Sequence, residues 1–254
     1  MIDFHNHFVG RLPSEASQRW PMLADSGALE LSLERVEARV LSTPLEFARN
    51  LPVQRINDAM ADVVRGDGRL YGLASVDAYT GDVAATELSR AVTALGLRGV
   101  FMESAKGELL PDCSQTQPVL AAAASLEVPV FLHPVPDRGL KARFADERLV
   151  RSTINSAAIL AMIGSGVFEK HRGLKVVVTA LALGGLLLAD RIPQGIYIDT
   201  TGMKPAMIRG AIELLGAQRV VAGTDWPVVQ EPAGRLASLP EPLATENARE
   251  LLRL

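Results

Sequence analysis

The sequence predicts an α/β protein built as a single (β/α)8 TIM barrel, one domain over residues 1–254. Three observations carry that expectation. Short apolar, β-branched runs alternate with longer helical patterns, and eight such runs can be marked out. A chain of 254 residues, 48% hydrophobic and without a break in composition, has the size of one closed barrel rather than two small domains. The turn after the first run carries His-x-His instead of a glycine-rich phosphate loop, which disfavours the main alternative, an open doubly wound sheet.

Strand 1 covers residues 1–8. Residues 9–30 are punctuated by Gly, Pro and Ser and read as a loop able to overhang the end of that strand. Leu31 to Ala38 has a helical pattern and runs into a weak strand 2 around Val40 and Leu41. A helix from about Leu51 to Val64 leads to strand 3, Leu70 to Val76, which ends in Asp77. Between Asp82 and Leu95 the residues Val83, Ala84, Leu88, Ala91 and Leu95 form one helical stripe. Strand 4 is Leu97 to Glu103, followed by a helix over Thr116 to Leu126 and by strand 5, Val128 to His133. An amphipathic helix over Ser152 to Glu169 precedes strand 6, Leu174 to Ala180; strand 7 is Ile196 to Thr200 and strand 8 is Val220 to Thr224.

A barrel concentrates its chemistry at the C-terminal ends of its strands. Strand periodicity puts Asp3, His5 and His7 on one face, so two imidazoles lie side by side at the end of strand 1. His133 closes strand 5 and Asp225 follows strand 8. His5, His7, His133 and Asp225 together make an N3O set suited to Zn2+, with Mn2+, Fe2+ and Co2+ accepting the same groups. A metal held there lowers the pKa of bound water and polarises carbonyl or carboxylate oxygens, which makes Asp225 and His133 the candidate catalytic pair. His171, the remaining histidine, stands in a polar turn and reads as a solvated loop residue. Arg11, shortly beyond His7, is a candidate carboxylate clamp, and Glu103 and Lys106, just past strand 4, are candidates to line the mouth.

Composition narrows the rest. A net charge of -3 and a pI near 5.9 give no basic stripe for nucleic acid. No apolar run reaches the roughly 18 residues of a membrane span, and no leader pattern precedes the histidine motif, so the expected compartment is the cytoplasm. Cys113 is the lone cysteine, which leaves no intrachain disulfide and no thiolate-rich zinc site.

Taken together, these motifs resemble the amidohydrolase superfamily, in the branch of aminocarboxymuconate-semialdehyde decarboxylase and the benzoate-type non-oxidative decarboxylases. The resemblance rests on Asp3-x-His5-x-His7, on Leu97-Arg98-Gly99-Val100, on Val128-Pro129-Val130-Phe131-Leu132-His133-Pro134 and on Ser165-Gly166-Val167-Phe168-Glu169-Lys170. Arg219 to Pro227 and Glu246-Asn247-Ala248-Arg249 complete it, so it runs end to end. It implies a metal-dependent carboxy-lyase acting on a small unsaturated or aromatic carboxylate. It also implies that Arg191 reaches toward the substrate carboxylate of a neighbouring subunit, hence a homodimer.

One departure is clear. The family places a histidine after strand 6, in a His-Gly-Gly-type turn, whereas this chain reads Val178-Thr179-Ala180-Leu181-Ala182-Leu183-Gly184-Gly185. Counting along the strand puts Ala180 in the histidine's place; counting back from the glycines puts Ala182 there. Alanine transfers no proton, so the roughly 10²–10⁴-fold contribution of a general acid or base must come from another group or be missing. Two alternatives therefore stay open beside decarboxylation: metal-dependent hydrolysis of a lactone or amide, and a non-catalytic ligand-binding barrel.

Overall fold

Eight β-branched, apolar segments become eight parallel strands because each is buried on both faces, one against the barrel interior and one against helices. The computed structural model describes residues 1–135, 143–229 and 239–254. The strands are β1 (Ile2–His7), β2 (Ala38–Ser42), β3 in two segments (Leu70–Gly72 and Ala74–Ser75), β4 (Val100–Glu103), β5 (Val130–His133), β6 (Val176–Val178), β7 (Ile196–Asp199) and β8 (Val220–Val221). Every ladder is parallel and joins consecutive strands.

β3 passes its pairing from one neighbour to the other. Its first segment bonds β2, its second bonds β4, and the Leu73 and Ala74 amides donate to Leu41 O and Gly99 O, each at 2.8 Å. Closure comes from β1 against the chain leaving β8. The Phe4 amide donates to Ala222 O, the Asp225 amide to His5 O and the His7 amide to Trp226 O, all at 2.8 Å. The expected barrel is thus realised, as a ring with no free sheet edge among the described residues.

Two apolar clusters follow from strand alternation. Ile2, Phe4, Val40, Leu73, Phe101, Phe131, Val177, Tyr197 and Val221 fill the interior, and Ala248, Leu251 and Leu252 of the C-terminal helix (Asn247–Leu252) plug its lower end. The alternate strand residues, among them Leu41, Val100, Met102, Leu132, Val176 and Ile198, pack outward against helices Val53–Val64, Asp82–Thr93, Gln117–Ser125, Glu147–Gly164 and Pro205–Leu215.

Several local expectations are corrected. Residues 9–30 are not plain loop: they hold helices Ala16–Arg19 and Ser26–Ser32, the second capped by Asp25, whose Oδ1 accepts from the Gly27 and Ala28 amides at 2.9 and 3.1 Å. The helical pattern expected over Leu31 to Ala38 belongs mostly to that helix and a 3-10 turn, Leu33–Arg35, because β2 already starts at Ala38. The helix expected over Ser152 to Glu169 starts earlier, at Glu147, where Asp146 Oδ1 caps the Arg148 and Leu149 amides. It stops at Gly164; Gly166, at φ 72°, turns the chain into a separate helix, Val167–Lys170. Among the described residues, no helix is long and apolar enough to cross a membrane.

Candidate metal centre

The site begins with an irregularity in β1. Asp3 pairs with Arg39 but Asn6 with Leu41, so one extra residue is accommodated between Asp3 and Asn6. Ile2 and Phe4 point into the barrel; after the bulge, His5 and His7 do so as well. Asp3 therefore does not share the histidines' face, contrary to the simple period-two reading. It points outward and is bound by Arg39 Nη1 at 2.5 Å, by the Thr224 amide at 3.1 Å and by Thr224 Oγ1 at 2.6 Å. This buried carboxylate ties β1 to β2 and to the segment that carries Asp225.

The bulge brings polar atoms together in the barrel mouth. His5 Nε2 lies 3.2 Å from His7 Nε2, and Asp225 Oδ1 lies 3.1 Å from His7 Nε2 and 3.5 Å from His5 Nε2. One nitrogen each from His5, His7 and His133 falls within a 4.8 Å cluster. All three imidazoles are buried, and Asp225 Oδ1 is buried without a hydrogen-bond donor among the described residues.

The outer ring nitrogens fix which lone pairs face inward. His5 Nδ1 lies 2.6 Å from Asp199 Oδ2, an acceptor, so Nδ1 carries the proton and, in the neutral ring that a metal requires, Nε2 a lone pair. Ser42 Oγ donates to Asn6 O at 3.1 Å and so accepts from His7 Nδ1 at 2.9 Å, which leaves His7 Nε2 unprotonated as well. Burial, with the neighbouring imidazoles and Arg151, holds His133 well below the ordinary imidazole range. Burial likewise lowers His7, against the pull of Asp225. Burial raises the Asp225 carboxyl, but His5 and His7 outweigh it and bring the group below its usual range. Two converging imidazole lone pairs beside an ionised carboxylate repel one another unless a cation sits among them, so this donor set fits a divalent metal.

Glycine is required where the ring closes. A Cβ on Gly223 would stand 2.9 Å from Thr201 Oγ1 and 3.0 Å from both Asp199 Cβ and His5 Cβ. Asp225 itself adopts the left-handed backbone conformation, at φ 63°. Its carboxylate thereby meets the two Nε2 atoms.

The remaining expected residues divide. Glu103 ends β4, its Cα paired with that of His133, and by alternation from Phe101 its side chain faces the barrel interior. Burial and the negative charges of Glu46 and Asp77 push its carboxyl up to about 7, against Lys106 and Arg49. Lys106 lies at the rim but is committed to an ion pair with Asp77. Arg11 is not brought to the site. Gly10, at φ 57°, turns the chain so that Leu12 is buried and Arg11 is exposed. Nor is Arg191 near the metal centre of its own chain. It lines a groove with Leu174, Lys175 and Gly195, residues that precede β6 and β7, because by that point the chain has returned to the opposite end of the barrel. His171 also departs from expectation: only 9% exposed, it places Nε2 2.9 Å from Gln117 Oε1.

Three contributors were missed. Asp199, at the end of β7, orients His5 and accepts the Ala180 and Thr201 amides at 3.0 and 3.1 Å. Its signal was the same as that of Glu103, a charge ending a buried strand. Ser42 bonds His7 from the end of β2, and a serine there carries no distinguishing signal. Arg151 reaches from helix Glu147–Gly164 to Pro134 O at 2.8 Å and to Glu46 at 3.6 Å, and nothing in helical periodicity marks it. Of the two alanines after strand 6, both buried in the outer apolar cluster, Ala180 is the one that touches the site, through its amide bond to Asp199.

Comparison with known proteins agrees with this arrangement. A protein-family model described as amidohydrolase matches residues 2–254. A gamma-resorcylate decarboxylase of Polaromonas sp. is 25% identical over 244 residues, covering 81% of this chain and 75% of the relative. Among solved structures, 5-carboxyvanillate decarboxylase from Sphingomonas paucimobilis superposes with a TM-score of 0.82 at 21% identity, covering 100% of this chain and 99% of the other. A dihydroxybenzoic acid decarboxylase from Polaromonas sp., with bound manganese and the inhibitor 2-nitroresorcinol, gives 0.81 at 22% identity, with 100% and 96% covered.

Proposed function

The chain belongs to the amidohydrolase family, and on that premise we propose that it is a metal-dependent carboxy-lyase that removes CO2 non-oxidatively from a small unsaturated or aromatic carboxylic acid. The observation that carries this reading is the convergence of His5 Nε2, His7 Nε2 and Asp225 Oδ1, with His133 beside them, on one point in the barrel mouth. His5, His7, His133 and Asp225 are the residues that hold the metal. Manganese in the related dihydroxybenzoic acid decarboxylase favours Mn2+, and the N3O donor set also accepts Zn2+. When bound, such an ion supplies Lewis acidity to the oxygens of the substrate.

The chain's own groups do the rest. Asp199, with Thr201, fixes the His5 ring, and Ser42 fixes His7, so neither imidazole needs to reorganise. Arg151, half-buried beside Pro134 and close enough to lower the pKa values of both His133 and Asp225, makes the mouth favourable for an anionic substrate. Loss of CO2 leaves an electron pair on carbon that must receive a proton. Asp225, ionised at the centre, is the carboxylate that would take this proton from solvent water and pass it to the carbon. Ala180 supplies only its backbone N–H, to Asp199, so no proton passes through that position.

The alanine at that position is also what favours a second reading, hydrolysis of a lactone or amide, which asks only for activated water. Metal-loaded protein incubated with 2,6-dihydroxybenzoate and with simple lactones separates the two. Release of CO2, abolished in His5→Ala together with about one equivalent of metal, supports the carboxy-lyase. Base uptake with lactones and no CO2 overturns it in favour of hydrolysis. Neither signal from a metal-replete protein favours a non-catalytic barrel.

A homodimer is part of the same proposal. Arg191 is exposed and far from the centre of its own chain, and Leu187 and Leu188 just before it are 64% and 78% exposed, which supports a surface that meets a second copy.

A further inference from the structure

Three carboxylates ring the mouth beside the metal centre, and they differ in what they hold. Glu46 has Arg151 at 3.6 Å. Asp77 has the Lys106 ammonium, and its Oδ1 also accepts the Tyr79 amide at 3.3 Å. The Glu103 carboxylate has neither a hydrogen bond nor an ion pair among the described residues. Tyr79, the nearest hydroxyl, donates instead to the backbone carbonyl of Glu103 at 3.3 Å.

Such a group, only partly exposed to water, gains when a donor arrives. Its location says where the donor comes from. Glu103 shares the inward face of β4 with Phe101, whose ring centroid is 5.1 Å from that of His133, and its Cα is paired with that of His133 on the neighbouring strand. A substrate bound at the imidazoles therefore lies against this carboxylate.

We propose that Glu103 is the specificity-determining residue of the site, accepting a hydrogen bond from a hydroxyl carried by the acid whose carboxylate docks at the metal centre. The inference rests on the carboxy-lyase reading for the orientation of that acid and narrows the substrate class to hydroxylated aromatic acids. A neutral O–H suits the place better than a cation. It satisfies the carboxylate without bringing a second charge out of water, and Lys106 and Arg49 already offset part of the local negative charge. The upward pull on the Glu103 carboxyl from Glu46 and Asp77 is what an incoming donor would relieve.

The test is a ratio of affinities that does not depend on turnover. Dissociation constants of the Mn2+-loaded protein are measured by calorimetry for benzoate and for 2-, 3- and 4-hydroxybenzoate, in wild type, Glu103→Gln and Glu103→Leu. One hydrogen bond to a charged acceptor corresponds to roughly 10- to 100-fold, so wild type should favour its best hydroxybenzoate over benzoate by about that factor. The ratio should fall close to one in Glu103→Leu. In Glu103→Gln, whose amide oxygen is a neutral acceptor of the same shape, it should be intermediate. A wild type that does not discriminate, or a ratio that survives in Glu103→Leu, overturns the proposal. Should Glu103→Leu fail to fold or to retain metal, Glu103→Gln decides, and an undiminished ratio there overturns it as well. The two readings fail separately. A collapsed ratio without CO2 release keeps Glu103 and removes the lyase, whereas CO2 release with an unaltered ratio does the reverse.

Discussion

Replacing Asp199 with asparagine tests whether the metal centre is held in place from behind. Asp199 is fully buried, and its Oδ2 accepts from His5 Nδ1 at 2.6 Å, the length of a charge-assisted bond. Its Oδ1 accepts from the Ala180 and Thr201 amides. An asparagine of the same shape keeps an oxygen for those two amides but turns an NH2 toward His5 Nδ1. Donor then faces donor. The imidazole relieves the clash by moving its proton to Nε2, the atom 3.2 Å from His7 Nε2 and 3.5 Å from Asp225 Oδ1, where a metal needs a lone pair. Losing such an outer-shell partner costs about 10- to 100-fold in metal affinity, or about 1.4–2.7 kcal/mol. Competition with a chromophoric chelator reads this directly, without substrate. Asp199→Asn should show that loss, larger at lower pH because the metal must now displace a proton, while the apo fold stays intact because both amides remain satisfied. Affinity within twofold of wild type would refute the assignment of His5 tautomer and the positioning role of Asp199.

Other expectations follow from the same geometry. Gly223→Ala places a methyl about 3.0 Å from His5 Cβ and Asp199 Cβ, so thermal unfolding should show a loss of roughly 1–3 kcal/mol together with reduced metal content; an alanine neutral in both measurements would contradict the close approach. Ala180→His should raise turnover with metal content unchanged, whereas Ala182→His, forced into the outer layer where Ala182 is fully buried, should destabilise by roughly 1–3 kcal/mol; steady-state assays and melts on the pair separate the two positions. Glu103 makes a signed prediction in pH. Its native pKa of about 7 lies above the ordinary 4.5, so the folded state binds the extra proton and stability declines as pH rises from about 4.5 through 7, by at most ~3 kcal/mol. Glu103→Gln should remove that decline, so that the variant gains on wild type toward pH 8 in denaturant titrations; parallel pH profiles would exclude a raised pKa at Glu103.

Much of the architecture was legible in the sequence because a barrel strand buried on both faces must be apolar along its length. A polar residue at the end of such a run is therefore conspicuous, which is how His133 and Asp225 could be marked. Asp199 carries the same signal in a less visible form. It ends the strand Ile196–Asp199, whereas the sequence pattern extends the strand to Thr200 and so places the carboxylate inside the run. Arg11 is displaced for a different reason, and Arg191, expected at a neighbouring subunit, likewise lies away from the centre of its own chain. Proximity in sequence to His7 says nothing about the direction in which the chain leaves the mouth. Gly10 turns it outward at one position, and the descent to the start of β7 carries it away at the other.

The bulge in β1 exposes a limit of pattern reading at the point where the function is built. Strict alternation would put His5 and His7 on the face of Asp3 and leave Ile2 and Phe4 on the other. The barrel needs both sets inside, apolar residues low for the core and imidazoles high for the metal. One extra residue between Asp3 and Asn6 reconciles them by switching phase within the strand. The switch releases Asp3 to the outer side, where Arg39 and Thr224 hold it, and Thr224 immediately precedes Asp225. An aspartate expected on the histidines' face thus becomes the anchor for the residue that supplies the carboxylate. Neither outcome can be read from residue types alone, since both depend on hydrogen bonds from β1 to two other strands more than thirty residues away.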